Sequence, residues 1–170
     1  MNAKNTRLLA LVVVMMAVTA TLTLVVHVPV PRTGGYIHLG DMAANLAALA
    51  FGPWLGGLIA GGGMAIADLI GFPAFAPGTL IIHGLQGFVV GYLGRHAKAW
   101  QMFVAALAGG AVVVVGYFLY EWLVMQMGIA VALSEVPMNI IQVTGGLVGV
   151  PLYMLVVQAY PPIRRWAEKS

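Results

Sequence analysis

A few polar side chains in this otherwise greasy chain fall at spacings that could do chemistry together. His83 and Gln86 lie three residues apart, as do Asn139 and Gln142, while Tyr117 and Glu121 lie four apart, so each pair shares one helix face. His38 and Asp41 end the stretch Gly34-Gly35-Tyr36-Ile37-His38-Leu39-Gly40-Asp41, and Asp68 follows further along. Amides, imidazoles, carboxylates and a phenol supply both donors and acceptors. That chemistry suits hydrogen bonding to the polar edge of a small planar molecule, with Tyr36 as the aromatic ring expected to stack on it. It does not suit catalysis. The chain has no His-Glu-x-x-His, no Gly-x-Ser-x-Gly and no phosphate loop. It has no cysteine, and its two serines, Ser134 and Ser170, are expected outside helices. No metal site, no cofactor and no enzymatic activity are expected.

Each of these residues also has a plainer reading. Asp41 suits the cap of a helix, where an acid meets free amide groups and the helix dipole. Asp68 suits the membrane interface or a pairing with Arg32. Tyr120 suits an interfacial aromatic belt, and Phe72, Phe75 and Trp122 suit either that belt or stacking on a planar ligand. For His83/Gln86 and Asn139/Gln142 the ligand reading is preferred, because idle polar groups are costly in lipid.

The elements that hold these groups follow from composition. Of 170 residues, 61% are hydrophobic and only 8% are charged, against roughly 25% charged in a soluble domain. Such a chain cannot clothe itself in polar surface, so its solvent is lipid. No basic stripe exists for nucleic acid. A spanning helix needs about 20 apolar residues. The reading is a single all-α membrane domain, residues 1–170, an integral bundle of six transmembrane helices at about 8–28, 39–51, 54–70, 78–94, 100–125 and 138–160. The first run is too long for a signal-peptide core of about 7–15 residues and is expected to stay as a span. Breaks are placed at Pro29/Pro31, Gly52-Pro53, the stretch 71–77, the basic connection 95–98 and a loop over 126–137. Pro151 is expected to kink the last helix. Small residues at four-residue spacing (Gly52, Gly56 and Ala60, Gly57 with Gly61, Gly87 with Gly91, Gly145 with Gly149) offer close helix contacts.

Six crossings put both termini on one side. Lys4, Arg7, Arg95, Lys98, Arg164, Arg165 and Lys169 then share that side, leaving Arg32 alone of the 8 basic residues on the other. The positive-inside rule makes both termini cytoplasmic. His38, Asp41, Asp68, His83, Gln86, Glu121, Asn139 and Gln142 all fall in the outer half, over an inner half almost bare of such groups. That describes a binding cup rather than a pore.

Several segments in order carry a family resemblance: Gly35–Asp41, Phe51-Gly52-Pro53-Trp54-Leu55-Gly56, Ala67-Asp68-Leu69-Ile70-Gly71, Ala76-Pro77-Gly78-Thr79-Leu80-Ile81-Ile82-His83-Gly84, Tyr117-Phe118-Leu119-Tyr120-Glu121 and Glu135-Val136-Pro137-Met138-Asn139-Ile140-Ile141-Gln142. Over about residues 8–160 the chain resembles the substrate-binding S-components of energy-coupling factor (ECF) vitamin transporters, in the riboflavin- and hydroxymethylpyrimidine-type group. The resemblance implies a multi-pass protein of the plasma membrane that binds one vitamin or precursor from outside. It implies docking onto a transmembrane coupling subunit joined to two ATPase subunits, and toppling of the S-component to carry its ligand inward. It further implies an alanine-x-x-x-alanine docking face on helix one. Here the nearest matches, Ala17/Thr21 and Met16/Ala20, depart from that motif. The expected ligand contacts are Tyr36, His38, Asp41, Asp68, His83, Gln86, Tyr117, Glu121, Asn139 and Gln142. Tyr36 is to stack, and His83, Gln86, Asn139 and Gln142 are to bond the ligand edge. The rival readings are a carrier or channel acting alone, and a structural subunit that binds no solute.

Overall fold

In the computed structural model, described over residues 3–29 and 36–165, nearly every element is a helix. Arg32, Gly34 and Gly35, and the tail residues Glu168 and Lys169, lie outside the described residues. The apolar run at the N-terminus forms α1 (Ala3–Val25). It stops short of the expected Val28, because His27–Pro29 pairs antiparallel with Tyr36–His38. These two strands, β1 and β2, carry the chain across the end of the bundle and bring Tyr36 and His38 over it.

The next element, α2 (Gly40–Gly71), is formally one helix but is folded back on itself at Gly52, whose φ of 80° and ψ of −173° are not helical. Its two arms run antiparallel. A Cβ on Gly40 would lie 3.0 Å from Met64 Cε, and one on Gly56 would lie 2.6 Å from Ala48 Cα. Ala44, Ala60 and Met64 form a cluster of their own between these two contacts. In a straight helix these pairs would be far apart. Only glycine adopts the Gly52 backbone cheaply, and Pro53 then starts the second arm. The first arm, residues 40–51, is alanine-rich and buried on nearly all sides, as a helix without a polar face must be.

Helix α3 (Ala76–Gly94) lies antiparallel on the second arm along a glycine seam. A Cβ on Gly57 would sit 2.7 Å from the Gly84 carbonyl, and one on Gly91 would sit 2.7 Å from Pro53 N. Bare backbones meet here because small residues let dispersion contacts replace a hydrophobic drive that lipid cannot supply. The expected Gly145/Gly149 pair divides: Gly149 packs on the Met42 backbone, while Gly145 has nothing within 4 Å.

Helix α4 (Ala99–Leu119) runs into a π turn, Tyr120–Val124, closed by the Met125 amide donating to the Tyr120 carbonyl at 2.9 Å. The last part departs most from expectation. Residues 126–137 are not a loop, because α5 (Ile129–Gly146) begins at Ile129 and carries Pro137 in its interior. Ser134 is therefore helical, and its hydroxyl donates to the Val131 carbonyl at 2.7 Å. The apolar stretch 129–133 starts the helix after Gly128, whose φ of 86° makes the turn. The chain then breaks at 147–148 and resumes as α6 (Gly149–Ala159). Pro151 sits in the first turn of α6, where a missing N–H costs nothing, so the expected kink appears as a break just before it.

Four stretches are long and apolar enough to cross a membrane: Thr6–Val25, Gly40–Gly71, Ala99–Val124 and Ile129–Ala159. Large apolar side chains such as Trp54, Leu69, Ile81, Tyr92 and Val115 point outward, which only lipid makes favourable. The main apolar core gathers around the first arm of α2, with Val12, Leu49, Phe51, Val90, Val150 and Tyr153.

Candidate functional site

At the end of the bundle under the β-ribbon, the polar groups form two layers. The lower layer centres on Asp41 in the first turn of α2, which is fully buried. Its Oδ1 accepts from Gln86 Nε2 of α3 at 2.5 Å, and its Oδ2 accepts from Gln142 Nε2 of α5 at 2.8 Å. The carboxylate therefore ties together three elements rather than capping α2. The residue before the helix, Leu39, offers no side-chain cap. The other end of Gln86, Oε1, lies 2.6 Å from His83 Nδ1 and can only accept, so Nδ1 carries the proton. His83 Nδ1 also lies 3.6 Å from Asp41 Oδ1. Gln142 Oε1 accepts from the His38 amide at 3.3 Å, and His38 Nδ1 accepts from the Gly40 amide at 3.1 Å. Burial lowers the His38 pKa to about 4, against a smaller upward pull from Asp41 and with a downward push from His83. The ring is thus a neutral imidazole with its proton on Nε2.

Above this layer lies a small hollow with a free volume of about 30 Å³. Tyr36 and His38 of β2 form one wall, and Asp68 at the end of α2 forms another. Tyr117 of α4 and Glu121 of the π turn face Glu135, Asn139 and Gln142 of α5, with Phe75 alongside. Asp68 is held by hydroxyls: Tyr36 donates to Oδ1 at 2.5 Å and Thr79 donates to Oδ2. Thr79 in turn meets the Tyr117 hydroxyl at 2.7 Å. Burial, then the hydrogen bond and charge of Asp68, push the Tyr36 phenol well above its ordinary range, so it stays a donor. The Tyr36 ring stacks on Phe72, with centroids 4.4 Å apart at 26°. Burial without partners is costly, yet Glu121 Oε2, Asn139 Nδ2 and His83 Nε2 are buried with no hydrogen-bond partner among the described residues.

Of the ten residues singled out in the sequence, Tyr36, His38, Asp68, Tyr117, Glu121, Asn139 and Gln142 line the hollow. Asp41, His83 and Gln86 lie in the layer beneath, and both ends of the Gln86 amide are engaged by Asp41 and His83. Phe75, weighed as a belt residue or a stacking ring, lines the hollow too, while Thr79 and Glu135 went unmarked as site residues. Glu135, Asn139 and Gln142 are spaced four and then three apart, a helical signal hidden by reading 126–137 as a loop. On α1, Ala17 and Thr21 are exposed, and the Thr21 hydroxyl is turned back to the Ala17 carbonyl at 2.8 Å. Ala20, the third docking residue expected, is instead 8% exposed, packed within the chain itself.

The architecture is that of a known class of membrane protein. Over 100% of its length the chain superposes on 95% of the S-component for biotin from an ECF-type ABC transporter, solved by crystallography, with a TM-score of 0.67 at 16% identity. At that identity the likeness speaks for the fold. The family follows from sequence: residues 3–158 match the model of the ECF-type riboflavin transporter S component, and the chain belongs to that family. It is 37% identical over 133 residues to an uncharacterised protein of the gap 3′ region of Pyrococcus woesei, covering 78% of this chain and 88% of that one. It is 35% identical over 150 residues to the thiamine precursor transporter HmpT of Lactococcus lactis subsp. cremoris (strain MG1363), covering 87% and 86%. The chain is therefore a multi-pass membrane S-component, from a transporter family rather than an enzyme family.

Proposed function

We propose that this chain captures a vitamin or vitamin precursor, a riboflavin-like or pyrimidine-type heterocycle, at the outer membrane surface for an ECF-type ABC importer. The observation that carries the reading is the hollow itself. In its floor Asp41, Gln86 and Gln142 bond one another, while its walls hold the buried atoms Glu121 Oε2 and Asn139 Nδ2, without partners among the described residues. A ligand edge that pairs with them offsets the cost of burying them.

The membrane arrangement that suits this role has six crossings: α1, the two arms of α2, α3, α4 with its π turn, and α5 with α6. The first arm, at about 1.5 Å per residue, reaches only about 18 Å and would be enclosed by protein. Both termini would then be cytoplasmic, with the basic residues outside 30–35 on that side. The partners are a transmembrane coupling subunit and two ATPase subunits, since the chain holds no phosphate loop of its own. The exposed Ala17/Thr21 face of α1 is the surface offered to the coupling subunit. Seven wall residues contact the ligand: Tyr36, His38, Asp68, Tyr117, Glu121, Asn139 and Gln142. Asp41, His83 and Gln86 hold them in place.

The test is titration of the purified chain in detergent with riboflavin, thiamine and hydroxymethylpyrimidine. At least one should saturate the protein, and Gln142→Ala should weaken that binding at least about tenfold, roughly 1.4 kcal/mol. Unchanged affinity in the variant would remove Gln142 from the site. Failure of every such heterocycle to bind would remove the reading.

A further inference from the structure

A second space in the molecule is larger than the hollow and has the opposite chemistry. Between α1, the first arm of α2 and α6 runs a groove with about 350 Å³ of free volume, and every side chain that lines it is apolar. Leu11, Met15, Val18 and Leu22 form its α1 wall, spaced four, three and four apart on one helix face. Leu46 of the first arm and Val156 of α6 line its other sides, and Ile163 of the short turn Pro161–Arg165 lies at one end. Met15, Leu22 and Leu46 are only half-buried and Val18 is exposed, so the groove opens sideways onto lipid. From Leu11 to Leu22 the wall is about 17 Å long at 1.5 Å per residue, close to one leaflet of a hydrocarbon core about 30 Å thick. Ala17 and Thr21 sit on a different face of α1.

One end of this groove is basic. Arg7 is exposed, four residues before Leu11 on the same helix face, and Arg164 and Arg165 follow Ile163 directly. No acidic residue occurs between residues 3 and 25 or between 149 and 165. An apolar slot with a cationic mouth matches the two parts of one molecule. We propose that the groove binds one acyl chain of an anionic phospholipid, with the lipid phosphate held at Arg7. A whole helix, about 10 Å across, does not enter a slot of this volume. A single hydrocarbon chain does, and its contacts with the walls recover dispersion energy that a void forfeits. Basic residues at the membrane surface attract anionic headgroups, so the mouth selects among lipids that share the same tail. This site is separate from the hollow and does not depend on which solute the hollow holds.

The experiment is native mass spectrometry of the full chain in mild detergent, titrated with phosphatidylglycerol and with phosphatidylcholine of the same acyl chains. One phosphatidylglycerol should stay bound per chain, retained at least about fivefold better than phosphatidylcholine, the preference one basic residue at the headgroup supplies. Arg7→Gln should level the two lipids, and a preference that persists there would overturn Arg7 as the phosphate contact. Val18→Trp drives an indole into the groove from an exposed position and should displace both lipids. Inorganic phosphate alone should not compete; if it does, the acyl chain is not what the groove holds. Equal retention of both lipids by the wild type, or retention unchanged in Val18→Trp, would overturn the proposal. So would a lipid-free wild type that pairs with a second copy or with the coupling subunit and loses that pairing in Val18→Trp, which would give the groove to a protein. The lipid ranking on wild type and the exposed Arg7→Gln keep the test readable if the tryptophan variant fails to fold.

Discussion

Two buried carboxylates of this protein behave in opposite ways. Asp41 accepts from Gln86 and from Gln142 and joins α2, α3 and α5. Glu121 has an oxygen that nothing among the described residues meets. Both are almost wholly shielded, so burial does not separate them; satisfaction does. A polar group whose partners all come from its own chain stabilises the fold. A polar group held buried and unsatisfied is a cost the fold carries until something else arrives. On the proposed reading, Asp41 and its amides serve the structure and the wall around Glu121 serves the ligand.

Asp41→Ala strikes that contrast hardest. It leaves two buried amides without an acceptor and should lower stability by about 3 kcal/mol, read as a lower melting temperature of the detergent-solubilised chain. Ligand affinity should fall too, since Gln142 loses the bond that orients it. Gly52→Ala comes next. At φ 80° and ψ −173° an alanine is strained by about 1–3 kcal/mol, and the fold-back that sets Asp41 against α5 should loosen. A melt unchanged from wild type would mean the two arms do not depend on that turn. Glu121→Gln should leave stability within about 0.5 kcal/mol of wild type or raise it, read as an unchanged or higher melting temperature, while binding suffers. A large loss of stability there would erase the distinction between floor and wall.

The smallest effect concerns pH. The His38 pKa is 6.5 in the open chain and about 4 in the fold. Between those values the unfolded chain holds a proton that the folded chain does not, so stability rises with pH across the window. It is fully present above about pH 6.5 and is lost as pH falls toward 4. Melting curves from pH 7 to pH 4 should slope that way, and His38→Asn should flatten the slope.

The sequence revealed the parts of this arrangement that rest on local rules. Gly52-Pro53 marked the fold-back because the pair breaks a helix whatever surrounds it. Glycine spacing marked the seam between the second arm of α2 and α3. The gathering of polar groups at one end of the bundle followed from the alternation of apolar runs. Tertiary choices stayed hidden. Pro137 looked like a boundary, yet α5 runs through it, since packing of the helix outweighs one lost hydrogen bond. That misreading hid Glu135, which faces Glu121 across the hollow. Asp68 was weighed with Arg32 as partner, but its described partners are Tyr36 and Thr79. No spacing rule links residue 68 to residue 79 across a turn. His83 and Gln86 shared a face as expected, but pattern alone could not tell that Asp41 would occupy the amide meant for a ligand.

The most direct test of the account is native mass spectrometry of the chain extracted in mild detergent, wild type beside Glu121→Gln, before and after addition of thiamine and hydroxymethylpyrimidine. The account predicts a one-to-one complex of wild type with one of these heterocycles, lost or strongly reduced in the variant. No adduct on the wild type, or equal adducts on both proteins, would contradict it.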